Sequence, residues 1–143
     1  MTEVAFYTGV PDRLAYLCRL LRKAQQSGAR IGVCGSPAVL QRLDLALWEF
    51  EASEFLPHLL LSEEPADQAL LDATTILLTP NIASLPHREL LLNLGMEMPE
   101  GFDQFQRVLE VVSTEAEQVQ AGRRRYKQYE ALGHSVKHHK VSN

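Results

Sequence analysis

The chain is 143 residues long, 45% hydrophobic and 22% charged, the make-up of one globular domain around a single core. This excludes a disordered or collagen-like chain and a small disulfide scaffold. No apolar run approaches the roughly 18 residues of a membrane span, and the N-terminus reads without a secretory leader, so a cytoplasmic protein is expected. The net charge of −4 is unevenly placed: residues 1–121 hold 17 acids and 8 bases, whereas residues 122–143 hold 6 bases and one acid. An acidic body with a basic C-terminal end is the first feature that function must account for.

Glu3 to Thr8 reads as a first strand, broken by Gly9, Pro11 and Asp12. From Asp12 to Ser27, Leu14, Leu17, Leu20, Leu21 and Ala24 share one helical face, and Gly28 closes the helix. Arg30 to Cys34 is a second strand. Ser36 as N-cap with Pro37 at the first helical position starts a second helix, striped by Leu40, Leu43, Ala46 and Leu47. Strand, helix, strand, helix is the alternation of an α/β fold, here with a mixed, mostly parallel central sheet flanked by helices.

Leu59 to Leu61 predicts a third strand and Ser62 to Asp67 an acidic turn. Thr74 to Thr79 predicts a strand, Pro80 to Leu85 a loop, and Leu90 to Leu94 a further strand. Beyond the connector Gly95–Pro99, the apolar residues Phe102, Phe105, Val108, Leu109 and Val112 recur at helical spacing. A last helix is expected over Glu115–Leu132, with Ala116, Val119, Tyr126 and Tyr129 inward and Gly133 ending it. The expected organisation is a single α/β domain over residues 1–133 and a flexible polar tail over 134–143.

Signatures of catalysis are sparse. Neither a P-loop nor a G-x-G-x-x-G fingerprint is present, and Pro11 removes a backbone donor from the first strand–helix link, where an anion site would want one. The Gly32–Ser36 turn lies where α/β folds often bind ligands, and it reads as a helix start or a small anion site. Cys18 and Cys34 are 16 residues apart; they could form one disulfide, but they read rather as two buried free thiols. His58 and His87 each stand beside a proline and read as turn or surface histidines. His134, His138 and His139 lie in the polar tail without carboxylate or cysteine ligands nearby, so no metal site is expected. Glu49, Glu51 and Glu54 read as solvated loop acids.

Two constellations remain. In Arg123-Arg124-Arg125-Tyr126-Lys127, Arg123 and Lys127 are four apart on one helical face with Tyr126 beside them. Cations against an aromatic wall suit a solvated basic face, an acidic peptide bearing a carboxylate and an apolar side chain, or nucleic-acid phosphates with a base stacked on the ring. All three readings are open on the residues alone. The second is Leu43-Asp44-Leu45-Ala46-Leu47-Trp48 followed by Phe55-Leu56-Pro57-His58. Trp48 and Phe55 there serve either the core or an apolar partner patch.

Taken in order, Phe6-Tyr7, Leu43-Asp44-x-Ala46-Leu47-Trp48, Phe55-x-Pro57-His58 and Arg123-x-Arg125-Tyr126-Lys127-x-Tyr129 with Gly133 resemble the chi subunit of bacterial DNA polymerase III holoenzyme over nearly the whole chain. The resemblance implies a non-catalytic accessory subunit in DNA replication. Its fold would be Rossmann-like, similar to mononucleotide-binding proteins, without a nucleotide site, a cofactor or a metal. It implies two partners: the psi subunit of the clamp loader, and the acidic, phenylalanine-terminated tail of single-stranded DNA-binding protein. Some family members also join a DNA-repair helicase through the psi-binding surface, and DNA itself is met only indirectly. Carried over by motif, Arg123 would bind the tail's terminal carboxylate, Tyr126 would wall the pocket for its phenyl ring, and Lys127 would favour its aspartates. Trp48 and Phe55 would face psi. The sequence departs from the family pattern at Val119, where a basic residue is expected, and at Arg124, where an acid is expected. A small α/β nucleotide- or anion-binding enzyme and a single-stranded nucleic-acid-binding module are the competing readings.

Overall fold

Seven parallel strands form one sheet in a computed structural model that describes residues 2–50, 56–61 and 67–141. In chain order the elements are β1 (Glu3–Val10), α1 (Arg13–Gln26), β2 (Ile31–Cys34), α2 (Pro37–Glu49), β3 (Leu59–Leu60), α3 (Gln68–Ala73), β4 (Ile76–Thr79), β5 (Leu90–Asn93), β6 (Arg107–Ser113), α4 (Ala116–Ala131) and β7 (Ser135–Lys140). The strand order is β3-β4-β2-β5-β6-β1-β7, and every neighbouring pair is parallel. The α/β, Rossmann-like class expected from the sequence is the one observed, and the sheet is parallel throughout rather than mixed.

The two-residue period of the strands sorts the core into two layers. Ala5, Ile31, Val33, Ile76, Leu78, Leu92, Leu109 and Val111 join Leu17, Leu21, Leu40, Leu43 and Leu47 on the face covered by α1 and α2. Val4, Phe6, Leu77, Leu91, Val108 and Val112 join Phe102, Phe105 and Tyr129 on the face covered by α4. Leu21, Leu40 and Leu43 are fully buried, each stabilising the fold by about 1.5–3 kcal/mol relative to exposure. The helix starts follow the expected capping. The Asp12 carboxylate accepts the Ala15 N–H at 3.1 Å, and the Ser36 hydroxyl accepts that of Val39 at 3.4 Å ahead of Pro37.

Four expectations are corrected. The helical spacing over Phe102–Val112 belongs to a short 3-10 turn, Phe102–Gln104, followed by β6. A strand buried on both faces shows no alternation, so Val108, Leu109, Val111 and Val112 imitate a helical stripe. Secondly, the polar segment Ser135–Lys140 is not a tail: it pairs with β1 as an edge strand, from Glu3↔Ser135 to Thr8↔Lys140. An edge strand needs only backbone hydrogen bonds and one half-buried side chain, Val136, so its composition hides it. Thirdly, Gly9 does not end β1. It adopts φ +72° at a register shift, and the strand continues to Val10. Lastly, Ala116 is exposed; Val119, Tyr126 and Tyr129 face inward as expected, and α4 also turns Ala121, Gly122 and Arg125 inward. The short helix α3, capped by Asp67, has no counterpart in the sequence reading. The expected turn at 62–66 lies outside the described residues.

Candidate functional site

Helix α4 reaches the sheet by way of Gly122. A Cβ at that position would lie 2.9 Å from Val112 Cγ2, so only glycine lets the helix and β6 approach this closely. On the inward face, the Arg125 guanidinium meets the Glu110 carboxylate at 3.1 Å, both side chains being buried. Glu110 also accepts from the Tyr129 hydroxyl at 2.7 Å and from the Asn93 amide at 3.0 Å, and Arg125 donates to the Met96 carbonyl at 2.8 Å. Burial pushes the Glu110 carboxyl up, and Arg125 with the two neutral donors pulls it part of the way back. The sequence reading placed Arg125 in the basic run; it is instead a structural charge inside the fold.

The next face of α4 borders a hollow of about 380 Å³ at the carboxyl ends of β1 and β6. Phe6, Val112, Val119 and Tyr126 form its apolar wall, and Thr8, Ser113, Thr114, Arg123 and His138 its polar rim. Tyr126 is half-buried, its ring 5.2 Å from that of Phe6. Arg123 is exposed, and among the described residues no hydrogen bond or ion pair ties it. Among the described residues no carboxylate lines the hollow. Arg123 and Tyr126 are thus brought together at one cavity. Lys127, one turn further along α4, is exposed and not among the lining residues. Val119 extends the apolar wall. His138 is the lining residue that sequence reasoning missed, because the segment bearing it was read as tail.

The second constellation also assembles. Asp44 and Trp48, four apart on α2, flank the buried His58. One His58 ring nitrogen lies 2.9 Å from the Asp44 carboxylate and the other 2.7 Å from the Leu56 carbonyl, while the Trp48 ring sits 5.1 Å from the imidazole. Trp48 is 57% exposed and Leu45 59%, so an apolar patch faces outward beside this clasp. Phe55 lies outside the described residues. His58 and His87 are both buried, not surface histidines.

The Gly32–Ser36 turn borders a cleft of about 660 Å³ with Asn81, Asn93, Glu97 and Glu100. Its polar groups serve the fold: Ser36 caps α2, and Asn93 bonds Glu110, the Glu97 carbonyl and the Gly95 N–H. Glu97 and Glu100 would repel phosphate. Both cysteines are free and buried, as expected. Burial, with Glu110 nearby, pushes the Cys34 thiol up to about 12, away from nucleophilic use. Among the described residues no group of three His, Cys, Asp or Glu could hold a metal ion, and no helix is long and apolar enough to cross a membrane.

The fold and the site define a class: a Rossmann-like parallel α/β domain with an apolar, cation-rimmed hollow under its last helix. The family model described as DNA polymerase III chi subunit, HolC, matches residues 1–137. DNA polymerase III subunit chi of Pseudomonas aeruginosa is 32% identical over 149 residues, covering 99% of this chain and 98% of its own. The Escherichia coli protein of the same name is 29% identical over 84% of this chain and 80% of its own, and that of Haemophilus influenzae 27% over 81% and 78%. The chain belongs to the DNA polymerase III chi subunit family.

Proposed function

We propose that this chain is a non-catalytic bridging subunit of the DNA polymerase III holoenzyme, joining the psi subunit to the acidic tail of single-stranded DNA-binding protein. The observation that carries this reading is the hollow under α4: an apolar wall, an uncommitted arginine at its rim and, among the described residues, no lining carboxylate. A terminal phenylalanine offers a ring for Phe6, Val119 and Tyr126 and a carboxylate for the bidentate fork of Arg123. Lys127, exposed beyond the rim, adds its charge to the field met by upstream aspartates rather than lining the pocket. Trp48 with Leu45 is the surface assigned to psi, and to a DNA-repair helicase where one uses the same face; the family motif assigns Phe55, outside the described residues, to the same partner. Tryptophan at the centre of an exposed apolar patch is the composition of an interface anchor.

Calorimetry with an acidic peptide ending in phenylalanine tests the reading. Arg123→Ala should weaken binding roughly ten- to a hundredfold, the worth of a charge-assisted hydrogen bond of about 1.5–3 kcal/mol, and removing the terminal phenylalanine should abolish it. Unchanged binding in both cases would overturn the assignment.

A further inference from the structure

The hollow under α4 has a second jaw, supplied by β7. In register with β1, His138 stands opposite Phe6 and Lys140 opposite Thr8. Alternation therefore sends Val136, His138 and Lys140 to the α4 face, and Val136 packs into the core layer there. Lys137 and His139 take the other face, where His139 stacks on Tyr7 at 5.1 Å. A His138 ring nitrogen lies 2.6 Å from the Thr8 hydroxyl, and its ring meets that of Tyr126 edge-on with the centroids 6.3 Å apart. The Lys140 stem passes 3.8 Å from where a Cβ on Gly9 would stand, and Gly9 itself lines the hollow.

We infer that His138 and Lys140 are the second set of anion-holding groups of this hollow, across from Arg123, and that its acidic peptide is gripped more tightly as His138 takes up a proton. The inference rests on the tail-binding reading above and names a regulation of that same site. Thr8 engages Nε2 and no described residue bonds Nδ1, so the protonated ring carries a positive charge and keeps an N–H at Nδ1 for an anion. Among the described residues, the charged and titratable groups around the imidazole are Arg123 and Tyr126 from α4 and Lys140 from β7. From β1 come Phe6 and Thr8 and from β6 Val112 and Ser113, none of which counters the charge. Lysines on an edge strand also deter strand pairing, but that role leaves peptide affinity indifferent to either residue.

The probe is a fluorescent peptide of aspartates ending in phenylalanine with a free carboxylate, its anisotropy read at pH 6 and pH 8 at fixed salt. The peptide's own acids stay ionised across this range, whereas histidine gains its charge within it. The unmodified protein should bind about three- to fivefold more tightly at pH 6, the worth of one partly screened charge pair. His138→Gln, which can still bond Thr8, should bind alike at both pH values, while His139→Gln keeps the dependence. Lys140→Gln should weaken binding about threefold at both. If Arg123→Ala weakens binding roughly ten- to a hundredfold while the unmodified protein shows no pH dependence and Lys140→Gln no effect, the inference fails and the tail-binding reading stands. If Arg123→Ala changes nothing, both fail.

Discussion

Buried side chains of this domain carry chemistry that their types do not announce. His87 is an example. Its Nδ1 accepts the Glu89 N–H at 3.3 Å, so the ring's own proton sits on Nε2, which is buried without a partner. Burial, with Arg30 adding, holds the His87 pKa below the ordinary value. The unfolded chain therefore binds this proton more readily than the folded one. Stability is whole above the ordinary histidine range and is lost as pH falls through it. Urea unfolding should show the unmodified protein losing stability between pH 7 and pH 5, and His87→Asn, which keeps an acceptor for Glu89 but cannot charge, losing less. Equal losses would mean that His87 does not govern the acid limb.

Elements, in turn, are held in place by groups that a one-dimensional pattern misassigns. Helix α4 is pinned to β6 and β5 by Arg125, Glu110, Tyr129 and Asn93. Arg125→Met removes one partner and leaves a buried carboxylate, which costs about 3–5 kcal/mol. Arg125→Met with Glu110→Gln removes the uncompensated charge and should recover at least half of that loss in equilibrium unfolding. A double variant no more stable than the single one would assign the cost to lost packing. Arg125 was not legible as a structural charge because it stands between Arg124 and Tyr126 in a run whose other basic members, Arg123, Arg124 and Lys127, are exposed. The helices α1, α2 and α4 were legible, since periodicity and caps such as Asp12 and Ser36 are local signals. Strand β6 was misread and β7 missed, because their signals are not local: one is apolar on both faces, the other is polar and completed only by pairing with β1. Of the hollow, Arg123 and Tyr126 were legible from their spacing on one helix. His138 was not, since it reaches the site from a strand that the composition conceals.

At the scale of the whole molecule, the charge asymmetry becomes a spatial one. The basic residues of segment 122–143 occupy the second half of α4 and the edge strand β7, and one of them, Arg125, is neutralised inside by Glu110. What remains is a short basic edge beside a hollow, on a body that carries 17 acids against 8 bases. A nucleic acid following this edge would soon run over acidic surface, whereas a short peptide would end at Arg123. Salt separates the two cases, because the Debye length is only about 8 Å at physiological ionic strength and each phosphate contact adds to the salt slope. Raising salt from 50 to 200 mM should weaken the acidic peptide by less than about tenfold. A polymer held through six to ten phosphates would lose about 10³–10⁵ over the same range. Single-stranded DNA alone should therefore give no saturable binding at 150 mM salt, and should be retained by this protein when coated with the tail-bearing single-stranded DNA-binding protein. Tight, steeply salt-dependent binding to bare DNA would reassign the basic edge to phosphate recognition.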